Sequence, residues 1–259
     1  MIRLANSNDK IPVLNFCQNT FSWGDYIEQV WDYWLSEGNL FLYEDQSVAG
    51  ICHALFFEDH IWVEGIRIDS SFRRQKIASS LVKHTESLGR NKNIATSYML
   101  IDTTNIPSLS MAKSLDYHAY QSWNFYSLLP CRKNISTRVN YENTIPNDLI
   151  LHYVDSWRWL SFDEETLKFL YKKNRIVSCQ INEEKSFAII TDSKHFEKTM
   201  IVTLYVSSFD TVNEILTFLQ NFANENNYQR IQILSKEDIS VLDSLEFKIS
   251  FNLMRKSLS

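Results

Sequence analysis

The feature that most constrains this chain is an order of elements that occurs twice. Hydrophobic periodicity over residues 40–129 gives a strand hairpin, a third strand, an amphipathic helix, a fourth strand, a short helix and one or two aromatic-rich strands. The second half gives the same order: a hairpin from Ile176 to Gln180 and Ser186 to Thr191, a strand from Thr199 to Val206 and a helix from Thr211 to Asn226. A strand from Arg230 to Ser235, a short helix from Ile239 to Leu245 and a final strand from Lys248 to Met254 complete it. Leu115-Asp116-Tyr117 and Leu245-Glu246-Phe247 hold equivalent places before the last strand of each half. An internal duplication of about 120 residues is the simplest account, with a chance likeness of two α/β segments as its rival. The expected fold class is α/β, with a mixed sheet flanked by helices in each half. The expected domains are 1–135 and 140–259, joined through a polar linker over 130–146.

Composition narrows the partners. At 44% hydrophobic and 22% charged residues, the chain has the apolar material for a sizeable core. A net charge of −5 argues against general nucleic-acid binding, because that affinity comes from an excess of Lys and Arg over the phosphates they neutralise. Any anion site must therefore be local. Cys17, Cys52, Cys131 and Cys179 stand far apart without zinc spacing, so reduced, packed thiols and no metal are expected. Met1 to Lys10 holds no apolar run, and nothing approaches the ~18 apolar residues of a membrane span, so a cytoplasmic protein without a membrane partner is expected.

Within the first half, residues 11–36 read as two helices broken at Ser22-Trp23-Gly24-Asp25. Strands follow at Leu40 to Glu44 and Val48 to Phe57, then at Ile61 to Ile68, where Gly65 interrupts the alternation. A lone glycine in a strand marks a bulge or a close backbone approach. Ile77, Leu81, Val82, His84 and Leu88 form the stripe of a helix that is expected to stop near Gly89. Ala95 to Asp102 reads as a strand, Ser108 to Leu115 as a short helix, and His118 to Leu129 as the last strand or strands.

The strand, turn and helix over 61–83 enclose Arg73-Arg74-Gln75-Lys76-Ile77-Ala78-Ser79. A helix start offers unpaired N–H donors and partial positive charge, a ready site for a pyrophosphate; a solvated basic turn is the alternative. This segment resembles motif A of the GNAT acetyltransferases, Gln/Arg-x-x-Gly-x-Gly/Ala, with Arg73 and Ala78 at its ends and Lys76 in place of the central glycine. FSWGDYIEQVWDYWL over 21–35, followed by the hairpin and VEGIRID, is similar to a GNAT subgroup with a tryptophan-rich helical pair and a degenerate second GNAT-like domain. The resemblance implies a tandem GNAT-like acyl-CoA N-acyltransferase that takes an acetyl group from acetyl-CoA to a primary amine of a small molecule or peptide. It implies a cofactor site built from Ile66, Arg67 and Ile68 along the pantetheine arm, from Arg73, Arg74, Gln75, Lys76, Ile77, Ala78 and Ser79 at the pyrophosphate, and from Asn105 and Ser108. In the family the strand holding Ile66 splays from its neighbour after Ala95. Ala112 stands where many members carry a tyrosine that protonates the leaving thiolate, which leaves a non-catalytic acyl-CoA-binding protein as the alternative function.

Acyl transfer needs a neutral amine, and at pH 7 neutralising a lysine-like amine costs roughly 4 to 5 kcal/mol. Glu64, on the strand that leads into the turn, is the candidate base, against a solvent-facing carboxylate or one paired with Arg67. Trp23, Asp25 and Tyr26 are candidates for the acceptor pocket, Asp25 attracting a cationic amine; helix capping and core packing are the alternatives. The six histidines have no partners at ligand spacing and read as structural, with His53 and His60 nearest the site. In the second half, Ser207-Ser208-Phe209-Asp210-Thr211 replaces the basic turn, with Asp210 the expected helix cap. That half is expected not to bind CoA.

Overall fold

A computed structural model describes residues 1–18, 25–133, 138–143 and 152–259. The chain divides into two compact units, Met1–Gln121 with Asn252–Ser259, and Ser122–Phe251. The first contains β1 (Ile2–Leu4), α1 (Lys10–Cys17), α2 (Ile27–Glu37), β2 (Leu40–Asp45), β3 (Ser47–Phe56), β4 (His60–Ile68), α3 (Ile77–Asn91), β5 (Thr96–Asp102), α4 (Ile106–Ser114) and the start of β6 (His118–Leu128). Its strands lie in the order β1-β2-β3-β4-β5. Neighbours are antiparallel except β4 and β5, which the crossover through α3 makes parallel.

Side-chain alternation decides what covers each face of this sheet. Leu40, Leu42 and Ile51 pack with Val13, Ile27, Val30, Trp31 and Trp34 of α1 and α2. Phe41, Cys52, Ala54, Ile61 and Val63 pack instead with Ile77, Leu81 and Val82 of α3. Neighbouring residues of one strand thus serve opposite layers, as a period of two requires. α3 runs past Gly89 to Asn91, because that glycine is a packing contact and not a stop. A Cβ there would meet Ile61 Cδ1 at 2.2 Å, so glycine lets the helix sit close on β4. The buried cysteines are core thiols: burial pushes Cys17 up to about 12 and also raises Cys52, which keeps both protonated.

The second unit contains the rest of β6, then β7 (Val139–Tyr141), β8 (His152–Asp155), β9 (Arg158–Ser161), α5 (Glu164–Lys172), β10 (Ile176–Ile181), β11 (Glu184–Asp192), β12 (Thr199–Tyr205), α6 (Phe209–Glu225), β13 (Arg230–Ser235) and the first half of β14 (Glu246–Ser257). Its strand order is β6-β13-β12-β11-β10-β7, and β8 and β9 form a separate hairpin. The order hairpin, strand, helix, strand of the first unit recurs here. Two expectations change, and elements that the sequence pattern did not give precede the repeat. Residues 239–245 form turns and no helix; they are held by Leu242 N to Ile239 O and Leu245 N to Leu242 O, and Asp238 turns back onto Ser240 N. The β8–β9 hairpin and α5 precede the repeat, and β7, inside the expected linker, pairs with β10.

The last strand changes units along its length. Its end lies beside β5: Leu258 N donates to Ala95 O, Arg90 Nε to Leu258 O, and Lys256 Nζ to the Glu86 carboxylate, which is 2% exposed. Packing therefore divides the chain at Gln121/Ser122 and Phe251/Asn252, whereas the sequence pattern placed the division between 135 and 140. A long strand carries no break in composition where it passes from one core to another.

Candidate functional site

The geometry is set by where β4 and β5 stop pairing. Their register runs from His60↔Thr96 to Val63↔Met99; among the described residues it ends there, although β4 continues to Ile68 and β5 to Asp102. The cause is a bulge on the other side of β4. Against β3 the register passes from His53↔Glu64 to Ile51↔Arg67, so Gly65 and Ile66 together face Cys52. Gly65 adopts φ +65, which bends the strand. Glu64 is thus the first residue beyond the register with β5, and Ile66, Arg67 and Ile68 follow it. In the second unit the equivalent parallel pair stays closed, from Thr199↔Arg230 to Leu204↔Ser235.

At the end of β4 the basic turn leads into α3. Arg73, Arg74, Gln75 and Lys76 are exposed, Ile77 is buried, and Ala78 and Ser79 are half-buried. Arg73 Nε makes a long contact with Ile68 O, 3.4 Å. Lys76 is the N-cap, with φ 60 and ψ 17 and no side-chain cap bond, and Arg74 is left-handed too, with φ 65. The first turn of α3 thus begins beside exposed cationic side chains and without a side-chain cap. The left-handed conformation that a central glycine would adopt freely is kept here by lysine, at a cost of roughly 1 to 2 kcal/mol. Lys76→Gly is therefore expected to stabilise the protein by about 0.5 to 1 kcal/mol after the added freedom of the unfolded chain is counted. Thermal melts check this, and a lower melting temperature would refute it. The start of α6 is different: Ser208, not Asp210, is the N-cap, its hydroxyl meets Thr211 N at 3.4 Å, and Ser186 Oγ engages both Thr211 Oγ1 and Ser207 N. That helix end is filled by its own side chains, and Asp210 occupies the first turn.

Glu64 is 13% exposed and fully engaged by neighbours. Its Oε1 lies 2.9 Å from His53 Nδ1, and its Oε2 accepts from Trp62 Nε1 at 3.0 Å. His53 stacks on Trp34, with ring centroids 4.8 Å apart and 9° between planes. Its Nε2 lies 3.1 Å from Gly38 O and 3.7 Å from Glu37 Oε2. The structural reading of His53 is therefore incomplete: it is buried, but against the candidate base. The signal was in the hairpin, because antiparallel pairing sets residue 53 opposite residue 64. One ligand atom each from Glu37, His53 and Glu64 falls within 4.8 Å of the others. Both ring nitrogens already have hydrogen-bond partners, Glu64 and Gly38 O, and the Glu37 carboxylate stands nearby at ion-pair distance. His60 lies apart from it, stacked on Phe57 and bonded to Asp59.

Two expected roles are redirected by an ion pair. Arg67 Nε and Nη2 reach Asp25 at 2.7 and 3.2 Å, with the side chains 11% and 4% exposed, and the guanidinium lies 5.2 Å over the Tyr26 ring. The Asp25 carboxylate also accepts from Ile27 N at 3.1 Å, so it anchors the start of α2 and is neutralised by Arg67. As a counter-charge for a cationic amine it is thus replaced by this internal role, and the Arg67 side chain faces Asp25. Tyr26 shares this cluster, meeting Trp34 edge-on; Trp23 lies outside the described residues. Asn105 caps α4 by accepting from Ser108 N at 3.1 Å, which assigns the asparagine oxygen and the serine amide to helix capping. Ala112 is fully buried in the core. Tyr117 donates to Ser97 Oγ at 2.7 Å, and burial raises its hydroxyl above the usual range, so it is not placed as the missing acid.

The comparisons with known proteins agree with this geometry. Residues 9–117 match the model of the Acetyltransferase (GNAT) family. No curated protein sequence matches the chain. Among solved structures, an assigned acetyltransferase of Thermoplasma acidophilum superposes with a TM-score of 0.66 at 12% identity, covering 99% of each chain. A GCN5-related N-acetyltransferase of Sphaerobacter thermophilus gives 0.64 at 11% identity, over 100% of this chain and 95% of that one. A tandem GNAT protein from the clavulanic acid biosynthesis pathway gives 0.56 at 11%, over 100% and 98%. Residues 9–117 of this chain are thus similar to the Acetyltransferase (GNAT) family, and over its full length the chain has the fold of these solved structures.

Proposed function

We propose that this protein is an N-acetyltransferase that moves an acetyl group from acetyl-CoA to a primary amine by direct attack within a ternary complex. The observation that carries the reading is that the register of β4 with β5 ends at Val63, with Glu64 next along β4 and the exposed turn into α3 after its end. The pantetheine arm would run along Ile66, Arg67 and Ile68, beyond the end of the β5 register. The pyrophosphate would take the N–H groups at Ile77, Ala78 and Ser79, with Arg73, Arg74, Gln75 and Lys76 around it. Glu64 would accept the amine's proton, directly or through a water. The zipped β12–β13 pair and the self-capped α6 support assigning one CoA site per chain, to the first unit, with the second unit a degenerate copy. Acceptors in reach of this chemistry are small-molecule amines and peptide N-termini.

The reading predicts that acetyl-CoA binds one-to-one by calorimetry and raises the melting temperature, by the equivalent of about 2.7 kcal/mol at a hundredfold excess over Kd. No heat and no shift would remove it. The buried alanine at position 112 favours a second reading, a non-catalytic acyl-CoA-binding protein. Binding without turnover across a panel of amines would select that one.

A further inference from the structure

The hydrogen bonds around His53 fix where its protons are. A carbonyl oxygen only accepts, so the 3.1 Å contact from Nε2 to Gly38 O places a hydrogen on Nε2. The 2.9 Å contact between Nδ1 and Glu64 Oε1 needs one further proton between them, since otherwise two lone pairs would face each other. Trp62 donates to the other Glu64 oxygen, which favours the carboxylate, and the Glu37 carboxylate lies 3.7 Å from Nε2, which favours the imidazolium. Gly38 aims its carbonyl through φ 78 at the end of α2, a conformation suited to glycine.

We propose that His53 is a positioning residue for Glu64: held doubly protonated by Gly38 and Glu37, it keeps Glu64 ionised and fixes its rotamer as the base for the acceptor amine. The activity part rests on the acyl-transfer reading above. In that reaction the amine nitrogen forms the N–C bond as the C–S bond breaks, sulfur leaves as the thiolate and is protonated from water, and the amine's proton passes to Glu64. The proton on His53 Nδ1 stays there throughout and stabilises the anion only before transfer. Among the described residues, the other titratable groups facing the pair include Tyr26 and the Asp25–Arg67 ion pair, Cys52 on β3, and Glu37 on α2.

The test uses the intact chain in two ways. Nitrogen-15 NMR of histidine-labelled protein is expected to show both His53 nitrogens protonated in the wild type, with Nδ1 unprotonated in Glu64→Gln under the same conditions. A neutral ring in the wild type, or a ring state unchanged by Glu64→Gln, overturns the proposal whether or not the protein turns over any amine. Kinetically, His53→Phe and His53→Gln are expected to move the acid limb of kcat/KM to higher pH by about 1 to 2 units. KM for acetyl-CoA should stay within about twofold, because the CoA contacts lie elsewhere. An unmoved acid limb in a folded variant overturns it; if the Phe variant does not fold, the Gln variant, which keeps a donor towards Glu64, carries the measurement. Failure of the wild type to bind acetyl-CoA would sink the acyl-transfer reading and leave the NMR result to judge the His53–Glu64 pair.

Discussion

Gly65→Ala is expected to destabilise the protein by about 2 to 5 kcal/mol. Two effects add. The backbone at Gly65 has φ +65, where a side chain costs about 1 to 2 kcal/mol. The new Cβ would stand 2.3 and 2.4 Å from Trp34 Cη2 and Cζ3, and overpacking of this kind costs about 1 to 3 kcal/mol. The indole cannot give way, because Trp34 is 1% exposed and stacked on His53. Gly38 separates the two contributions. Its φ is +78 with ψ −177, but no atom lies within 4 Å of the position a Cβ would take, so Gly38→Ala should show only the backbone cost, about 1 to 3 kcal/mol. Urea unfolding of both variants makes the comparison; equal losses would mean that the Trp34 contact is not limiting. The push on Trp34 should also pass through His53 to Glu64, so residual activity of Gly65→Ala should fall further than its folded fraction.

Glu64→Gln carries the largest expected effect on turnover, a loss of about 10² to 10⁴ in kcat/KM at neutral pH, or roughly 3 to 5 kcal/mol. The amide keeps the size of the side chain but does not accept a proton. Acetyl-CoA affinity should change by no more than about twofold, because the proposed cofactor groups lie along Ile66–Ile68 and at the start of α3. The loss should depend on the acceptor. An amine of low basicity, already neutral at the assay pH, needs less from a base and should lose less than a lysine-like amine, whose neutralisation at pH 7 costs roughly 4 to 5 kcal/mol. A full rate in Glu64→Gln with a strongly basic amine would rule Glu64 out as the base.

Much of the architecture was legible from patterns that act over a few residues. The stripe Ile77, Leu81, Val82 fixed α3 because those side chains meet a core at helical spacing, and all three are buried. Gly65 marked both a bulge and a close approach, since only the side chain of glycine fits between the bent β4 and Trp34. Periodicity was less use over 239–245, where the apolar Ile239, Leu242 and Leu245 bury their side chains from turns. It was also silent on where β6 and β14 pass between units, because a continuous strand looks the same to its own sequence whichever core it enters.

By itself the sequence determined the repeated α/β order, the basic turn at 73–76 and the strand that carries Glu64, since local spacing and residue type suffice for each. Only the tertiary structure decided which charges meet: Arg67 with Asp25 across 42 positions, His53 with Glu64 and Glu37, and the parting of β4 from β5 after Val63. The physical reason is that electrostatics and hydrogen bonding depend on distances of about 3 Å, which the chain sets by packing and not by separation along the sequence.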